Sequence, residues 1–294
     1  MKTIFSLNRK PWLFTFLIIL FELICYILIL ITLTLVLKLL KDVTQIPPSW
    51  PTLLSHMLIV FVVAPFLLGF PEKGQTYRDY LFEIRFTNMQ PLLLLILLGL
   101  SCYLIMALSQ AIGVLIFRLT QGLVVDWSFI RSSFVFANEL PPRSTSWLIS
   151  IPSIFEEVVW RGVILAAFLR VYHRPKAILI SAVCFGLWHI LSLTGGNPYL
   201  TAGEIVWAAI LGLFYGYVTI KTNSLLPAII VHYLGNLFVS ATNTYIQANA
   251  SVQAVVFYGI MFTFGIIPTI LMILWARLFT SRLYMGKKHR ENAS

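Results

Sequence analysis

A chain of 294 residues with 59% hydrophobic and only 11% charged residues is too apolar for an ordinary soluble domain. Its mean hydropathy of +0.88 indicates a polytopic membrane protein. The net charge of +10 does not indicate nucleic-acid binding, because the basic residues lie beside apolar stretches and are not interleaved with aromatic residues. Cys25, Cys102 and Cys184 lie in apolar runs without CxxC spacing, which excludes a disulfide framework and a thiolate metal site.

Eight apolar stretches are long enough, or nearly so, to cross a bilayer as helices, since a span needs about 20 residues. In chain order they are 12–40, 52–70, 91–117, 146–172, 177–194, 204–220, 226–245 and 253–276, of which the sixth is the shortest. The sequence therefore predicts an all-α polytopic membrane bundle of about eight transmembrane helices. With no internal repeat, residues 1–294 are predicted to form a single integral membrane domain.

Two connecting segments also carry structural signals. Between the second and third stretches, residues 71–90 alternate aromatic and aliphatic side chains with charges, a pattern typical of an interfacial helix. The connector 118–143 ends in two prolines and is predicted to be partly interfacial.

The distribution of Lys and Arg predicts the orientation in the membrane. With eight spans and a cytoplasmic start, 15 basic residues lie on the inner side and 5 on the outer side, and Arg161 lies within the membrane. The positive-inside rule then favours a multi-pass protein of the cell membrane with both termini in the cytoplasm.

Three polar residues outside the central helices are interpreted as structural. Glu22, in the first span, is expected to be a protonated or hydrogen-bonded packing residue. His56 and Glu204 lie close to span ends, where we expect water or lipid headgroups to solvate them.

The fourth stretch contains three charged residues, Glu156, Glu157 and Arg161. Each would cost roughly 2.5 to 3.5 kcal/mol at the bilayer centre if left without a partner. In an α-helix, residues four apart share a face, so Glu157 is predicted to pair with Arg161. Glu156 is then free to face another helix.

Further polar residues lie on the fifth and seventh stretches. Helix rise places His189, His232 and Asn236 near the same membrane depth as Glu156. His232 and Asn236 are four residues apart and leave one helix face. Each residue alone is most simply an interhelical hydrogen-bonding group. Their convergence favours a functional site over that interpretation.

This set of side chains suits amide hydrolysis. A carboxylate with a histidine, Glu156 and His189, can hold and deprotonate a water, while His232 and Asn236 can donate hydrogen bonds to the oxyanion. The same Glu156, His189 and His232 could instead bind zinc as two histidines and one carboxylate. The residues alone do not separate these alternatives. HExxH, GxGD and GxSxG motifs of other hydrolases are absent from the sequence.

Three motifs, Glu156-Glu157-x-x-x-Arg161, Phe185-x-x-x-His189 and His232-x-x-x-Asn236, resemble those of the CPBP family. This family comprises CAAX prenyl endopeptidases of the Ras-converting type and bacterial relatives linked to bacteriocin processing, immunity and abortive infection. The resemblance places a protease-like catalytic core at about 146–245. It implies that Glu156 and His189 activate water, that His232 and Asn236 stabilise the oxyanion, and that Glu157 and Arg161 support them.

The leading hypothesis is an intramembrane endopeptidase acting on a membrane-embedded or lipid-anchored protein or peptide. The glutamate mechanism, which requires no cofactor, is preferred to zinc because Asn236 suits a hydrogen-bond donor. One alternative is a non-catalytic immunity or binding protein of the same fold. A proton-coupled transporter is less favoured, since the chain has no inverted repeat.

Overall fold

The computed structural model describes residues 7, 9–40, 49–68, 76–122, 150–190, 197–249 and 251–291. This part of the chain contains helices and no strand, which confirms the all-α prediction. We number ten helices, some of which include a π-helical segment: α1 (Pro11–Leu40), α2 (Ser49–Leu58, Ile59–Val63, Ala64–Leu68), α3 (Tyr77–Glu83), α4 (Leu92–Thr120), α5 (Pro152–Glu157, Val158–Ile164, Leu165–Leu169), α6 (Arg174–Trp188), α7 (Pro198–Thr222), α8 (Leu226–Asn249), α9 (Val252–Tyr258, Gly259–Thr263) and α10 (Ile266–Glu291).

Within these residues, five helical segments are long and apolar enough to cross a membrane: Pro11–Val36, Trp50–Leu68, Leu92–Thr120, Pro198–Thr222 and Val252–Ser281. They correspond to the first, second, third, sixth and eighth predicted stretches. The fourth and fifth form the shorter helices α5 and α6, and in α8 the apolar part is Leu226–Leu237. A polytopic membrane bundle is therefore confirmed, whereas the count of eight spans stays a prediction.

The chain forms two compact units. The first unit comprises the described residues within 1–88 and 141–177, and the second those within 89–140 and 178–294. The boundary falls early in α6. The prediction of one domain over 1–294, with a catalytic core at 146–245, stays a prediction.

In the first unit, α1 buries one narrow stripe. Phe14, Ile18 and Glu22 recur every four residues and are almost fully buried, while most of their neighbours are exposed. The stripe packs against α2, and the Ser49–Leu58 segment of α2 packs in turn against Pro152–Glu157 of α5. This arrangement brings polar residues of three helices into one unit.

The predicted interfacial segment forms the short helix α3. Thr76 caps its first turn, with its backbone N–H donating to the Asp79 carboxylate at 2.6 Å. This capping lowers the pKa of the Asp79 carboxyl group. The hydroxyl groups of Tyr77 and Tyr80 donate to backbone carbonyls in the π-helical segment of α2, so α3 is tied to that span. Most of the predicted connector 118–143 lies outside the described residues.

In the second unit, α4, α7, α8 and α10 share one apolar core. It includes Cys102, Met106, Phe214, Tyr215 and Val231, all nearly fully buried. Local sequence sets the ends of α7: Asn197 caps its N-terminus by accepting from the Tyr199 N–H at 2.9 Å, and Asn223 ends it in the left-handed conformation. The core thereby fixes α7 and α8, and α8 carries the candidates His232 and Asn236.

Candidate active site

The acidic motif lies on α5 in the first unit. Pro152 occupies the first turn, where its missing N–H costs no helical hydrogen bond. The segment Val158–Ile164 is π-helical, a feature frequent at functional sites. Glu157 and Arg161 are fully buried, with the Arg161 Nε 3.3 Å from the Glu157 Oε2, so the predicted pairing is confirmed. Glu156 is half-buried.

A second buried ion pair lies in the same unit. The Nε2 of His56 on α2 is 3.0 Å from the Oε1 of Glu22 on α1. The expectation that water or headgroups solvate His56 is therefore wrong, because its side chain is fully buried. Glu22 lies on the buried face of α1 that packs against α2, which places its carboxylate next to His56. A carboxylate in an apolar environment needs such a partner.

The same histidine lies on a segment that packs against the acidic motif. The Ser49–Leu58 segment of α2, which carries His56, packs against the Pro152–Glu157 segment of α5, which carries Glu156. Next to Glu156, the Phe155 ring meets the Phe61 ring edge-on at a centroid distance of 6.2 Å. The first unit therefore contains two basic side chains on or beside the helix of the motif, Arg161 paired with Glu157 and His56 on the packed segment of α2.

In the second unit, His189 follows the end of α6. Its Nδ1 donates to the backbone carbonyl of Phe185, one turn earlier, at 2.9 Å. This bond places the proton of the neutral ring on Nδ1 and its acceptor on Nε2. The Phe185 ring packs edge-on against His189 at 4.9 Å between centroids, which restricts the orientation of the imidazole.

His232 lies on α8 and packs against two aromatic rings. It stacks on Tyr215 of α7 at 5.3 Å with an angle of 21° between the rings, and Phe185 meets it edge-on at 6.0 Å. His232 is buried, whereas Asn236 is exposed. Phe185 therefore contacts both imidazoles and brings them together in the second unit.

The second unit also contains a close helix contact beside Phe185. A Cβ atom on Gly186 would lie 2.5 Å from the backbone oxygen of Ile205 and 2.7 Å from the Cβ of Ala209. Only glycine permits α6 and α7 to approach this closely, as is common for small residues in membrane bundles. The approach sets the position of α6, and with it His189, relative to α7.

The candidate residues thus fall into two groups. Glu156, Glu157 and Arg161 belong to the first unit, and His189, His232 and Asn236 to the second. Convergence of Glu156 with the two imidazoles stays a prediction. Within either unit, the described residues include no group of three His, Cys, Asp or Glu side chains that could hold a metal ion. The zinc ligand set Glu156, His189 and His232 is divided between the two units in the same way as the catalytic set, and we derive no step through a metal.

Sequence reasoning missed the pairing of Glu22 with His56, although a signal for it was present. His56 is the only titratable residue of the stretch 52–70, and Glu22 is the only acid of the stretch 12–40. An intramembrane carboxylate is costly without a partner, and a neighbouring helix offered one.

Comparison with known proteins finds a matching family and a matching curated relative. Residues 143–238 match a family described as type II CAAX prenyl endopeptidase Rce1-like. A curated relative, CAAX prenyl protease 2 of Methanococcus maripaludis, is 20% identical over an alignment of 199 residues that covers 63% of this chain and 70% of the relative. No solved structure gives a significant match.

The helical membrane fold and these matches support an integral membrane protease, a hydrolase, of the CAAX type. The matches also support the resemblance of the three motifs to the CPBP family of CAAX proteases. All three motifs lie within the matched residues 143–238, whereas Glu22 and His56 lie outside them.

Proposed function

We propose that the chain hydrolyses a peptide bond in a membrane-associated protein or peptide by a glutamate mechanism. Glu156 and His189 activate the attacking water, and His232 and Asn236 stabilise the oxyanion. The observation that carries the proposal is that the family match contains every residue of the three motifs. The shared contacts of both imidazoles with Phe185 support it further.

The proposed hydrolysis uses only the attacking water and side chains of the chain itself. Glu156 accepts a proton from water as the water oxygen bonds to the carbonyl carbon, and the carbonyl oxygen becomes an oxyanion. Hydrogen bonds from His232 and Asn236 stabilise this charge. When the carbon–nitrogen bond breaks, the departing amine receives the proton held by Glu156. The pair of Glu157 and Arg161 keeps the neighbouring helix turn fixed.

The substrate is proposed from the membrane setting and the relative. Because the archaeal relative is named a CAAX prenyl protease, a lipid-anchored peptide with a C-terminal CAAX sequence is the first substrate to test. As part of this proposal the protein lies in the cell membrane with both termini in the cytoplasm, which its Lys and Arg distribution favours.

Substitution of the proposed base tests the function. Purified Glu156→Gln protein should lose cleavage of a farnesylated CAAX peptide and of native membrane substrates identified by their new C-termini. Glu204→Gln, which changes a half-buried glutamate outside the motifs, is the control and should keep cleavage. A Glu156→Gln protein that retains both cleavage and its cellular phenotype would overturn the proposal. A phenotype that persists without cleavage in either protein would favour the immunity or binding alternative.

Metal removal separates the glutamate mechanism from the zinc alternative. Cleavage should survive exhaustive chelation, and elemental analysis should find no stoichiometric zinc. Stoichiometric zinc that disappears in His189→Ala protein would establish the metal mechanism instead.

A further inference from the structure

The buried pair of Glu22 and His56 lies outside the region that matches the protease family. Glu22 belongs to the α1 stripe with Phe14 and Ile18, and its side chain is almost fully buried. If packing were the only role of Glu22, an apolar residue at this position would pack equally well and would bury no charge. Intramembrane ionisable residues generally mark functional sites, so the pair calls for a function.

The charge of the His56 ring follows from the partners of its two ring nitrogens. Its Nδ1 donates to the backbone carbonyl of Thr52 at 2.6 Å, and its Nε2 lies 3.0 Å from the Oε1 of Glu22. Because both ring nitrogens face oxygen atoms, the ring is an imidazolium whenever Glu22 is ionised. Among the described residues, the carboxylate oxygens of Glu22 have no hydrogen-bond partner besides this ion pair. Glu22 and His56 therefore offset each other's charge.

The α5 segment that packs beside this pair carries Glu156. The segments Ser49–Leu58 and Pro152–Glu157 pack together, and His56 is the one basic residue of the first segment. Glu157 is already paired with Arg161 at 3.3 Å. His56 is therefore the base that α2 brings to the segment of Glu156.

We propose that Glu22 and His56 are a positioning pair for Glu156, in which Glu22 holds the His56 imidazolium in place and the positive charge of the imidazolium attracts the Glu156 carboxylate. This inference rests on the proposed function, because it assigns Glu156 the role of base. Charge interactions are strong at a site of low dielectric, so one cation suffices to restrict a carboxylate. The rival role is helix association alone, through a polar contact between α1 and α2.

Kinetics of the purified full-length protein separate the two roles. His56→Gln should lower kcat about ten- to a hundredfold with little change in KM, because misplacing a catalytic group affects the reaction more than substrate binding. Glu22→Gln should lower kcat in the same direction, and His56→Lys, which keeps a cation, should recover part of it. Ser55→Ala is the matched control, since Ser55 is equally buried and donates to the same Thr52 carbonyl. It should keep the wild-type kcat.

Two kinetic results would overturn the proposal. One is a His56→Gln protein whose kcat per folded molecule equals that of the wild type. The other is a His56→Lys protein as slow as His56→Gln, because the cation would then be irrelevant and the imidazole shape would explain the loss.

A double-mutant cycle tests the pairing without any activity. Thermal unfolding midpoints are measured in detergent for wild type, His56→Gln, Glu156→Gln and the double variant. Coupling predicts that Glu156→Gln shifts the midpoint differently when His56 is absent, whereas additive shifts would overturn the pairing. If the wild type cleaves nothing, the proposed function fails while this cycle still decides whether His56 and Glu156 interact.

Discussion

The two units stabilise their buried polar residues in different ways. The first unit pairs acids with bases, Glu157 with Arg161 and Glu22 with His56. The second unit holds its imidazoles by rings and backbone, with Phe185 between them and Tyr215 stacked on His232. A carboxylate in an apolar bundle needs a charge partner, whereas a neutral imidazole needs only one hydrogen bond and close packing. The comparison predicts large costs for breaking charge pairs and smaller costs for altering rings.

The largest expected effect is the loss of Arg161. Arg161→Leu leaves the fully buried Glu157 without its ion pair and should lower the free energy of unfolding by about 3 to 5 kcal/mol. Unfolding in mixed detergent micelles, followed by circular dichroism, measures it. The control is the double variant Glu157→Leu/Arg161→Leu, which removes both charges and should recover much of the loss. If the double variant were as unstable as the single one, charge pairing would not explain the first unit.

The second effect concerns helix spacing in the second unit. Gly186→Ala adds a Cβ that meets the Ile205 backbone oxygen at 2.5 Å, so α6 must move away from α7. Overpacking of this kind should cost about 1 to 3 kcal/mol of unfolding free energy. Cleavage should fall as well, since α6 carries the residues leading to His189.

Gly216→Ala is the matched control for this substitution. It makes the same change between the same two helices, but its Cβ would meet only the Ile178 side chain, at 3.0 Å, and that side chain can shift. Its cost should be the smaller of the two. Equal costs would show that the backbone contact at Gly186 does not set the spacing.

The sequence was sufficient for the class of fold and for the pairing on one helix. Apolar runs of about 20 residues identify membrane spans, and the four-residue spacing of Glu157 and Arg161 identifies their ion pair. The fourth run, 146–172, extends three residues beyond Leu169, where α5 ends, because hydropathy alone does not mark a helix end. The π-helical segment Val158–Ile164 left no recognisable pattern, since it depends on packing.

Contacts between helices were harder to predict than contacts within one. Helical periodicity places Glu22 on a face of α1 but does not say which helix covers that face, so its pairing with His56 was missed. The contacts of Phe185 with both imidazoles depend on the approach at Gly186, which is a three-dimensional property. Span order and depth identified Glu157, Arg161 and His232, which are buried, but Asn236 is exposed, and tertiary packing decided the partners of the buried residues.

The third effect is the stacking of Tyr215 on His232. Tyr215→Leu keeps an apolar side chain of similar burial but removes the ring at 5.3 Å, and should cost about 0.5 to 1.5 kcal/mol of unfolding free energy. Under the proposed mechanism kcat should fall more than KM rises, because His232 is the oxyanion donor. Tyr215→Phe keeps the ring and should recover most of kcat. A Phe variant as impaired as the Leu variant would assign the effect to the hydroxyl group and not to the ring.

The smallest effect is expected at the surface of the first unit, where Arg170 of the α5 end binds Glu83 of α3 with an Nε–Oε1 distance of 2.9 Å. The two side chains are 21% and 37% exposed, so water screens the pair, unlike the buried Glu157 and Arg161. Glu83→Gln should change the unfolding free energy by less than about 1 kcal/mol, and high salt should abolish even that difference. A loss approaching that of Arg161→Leu, unaffected by salt, would mean that burial does not separate strong from weak ion pairs in this unit, and the contrast between the two units would lose its electrostatic basis.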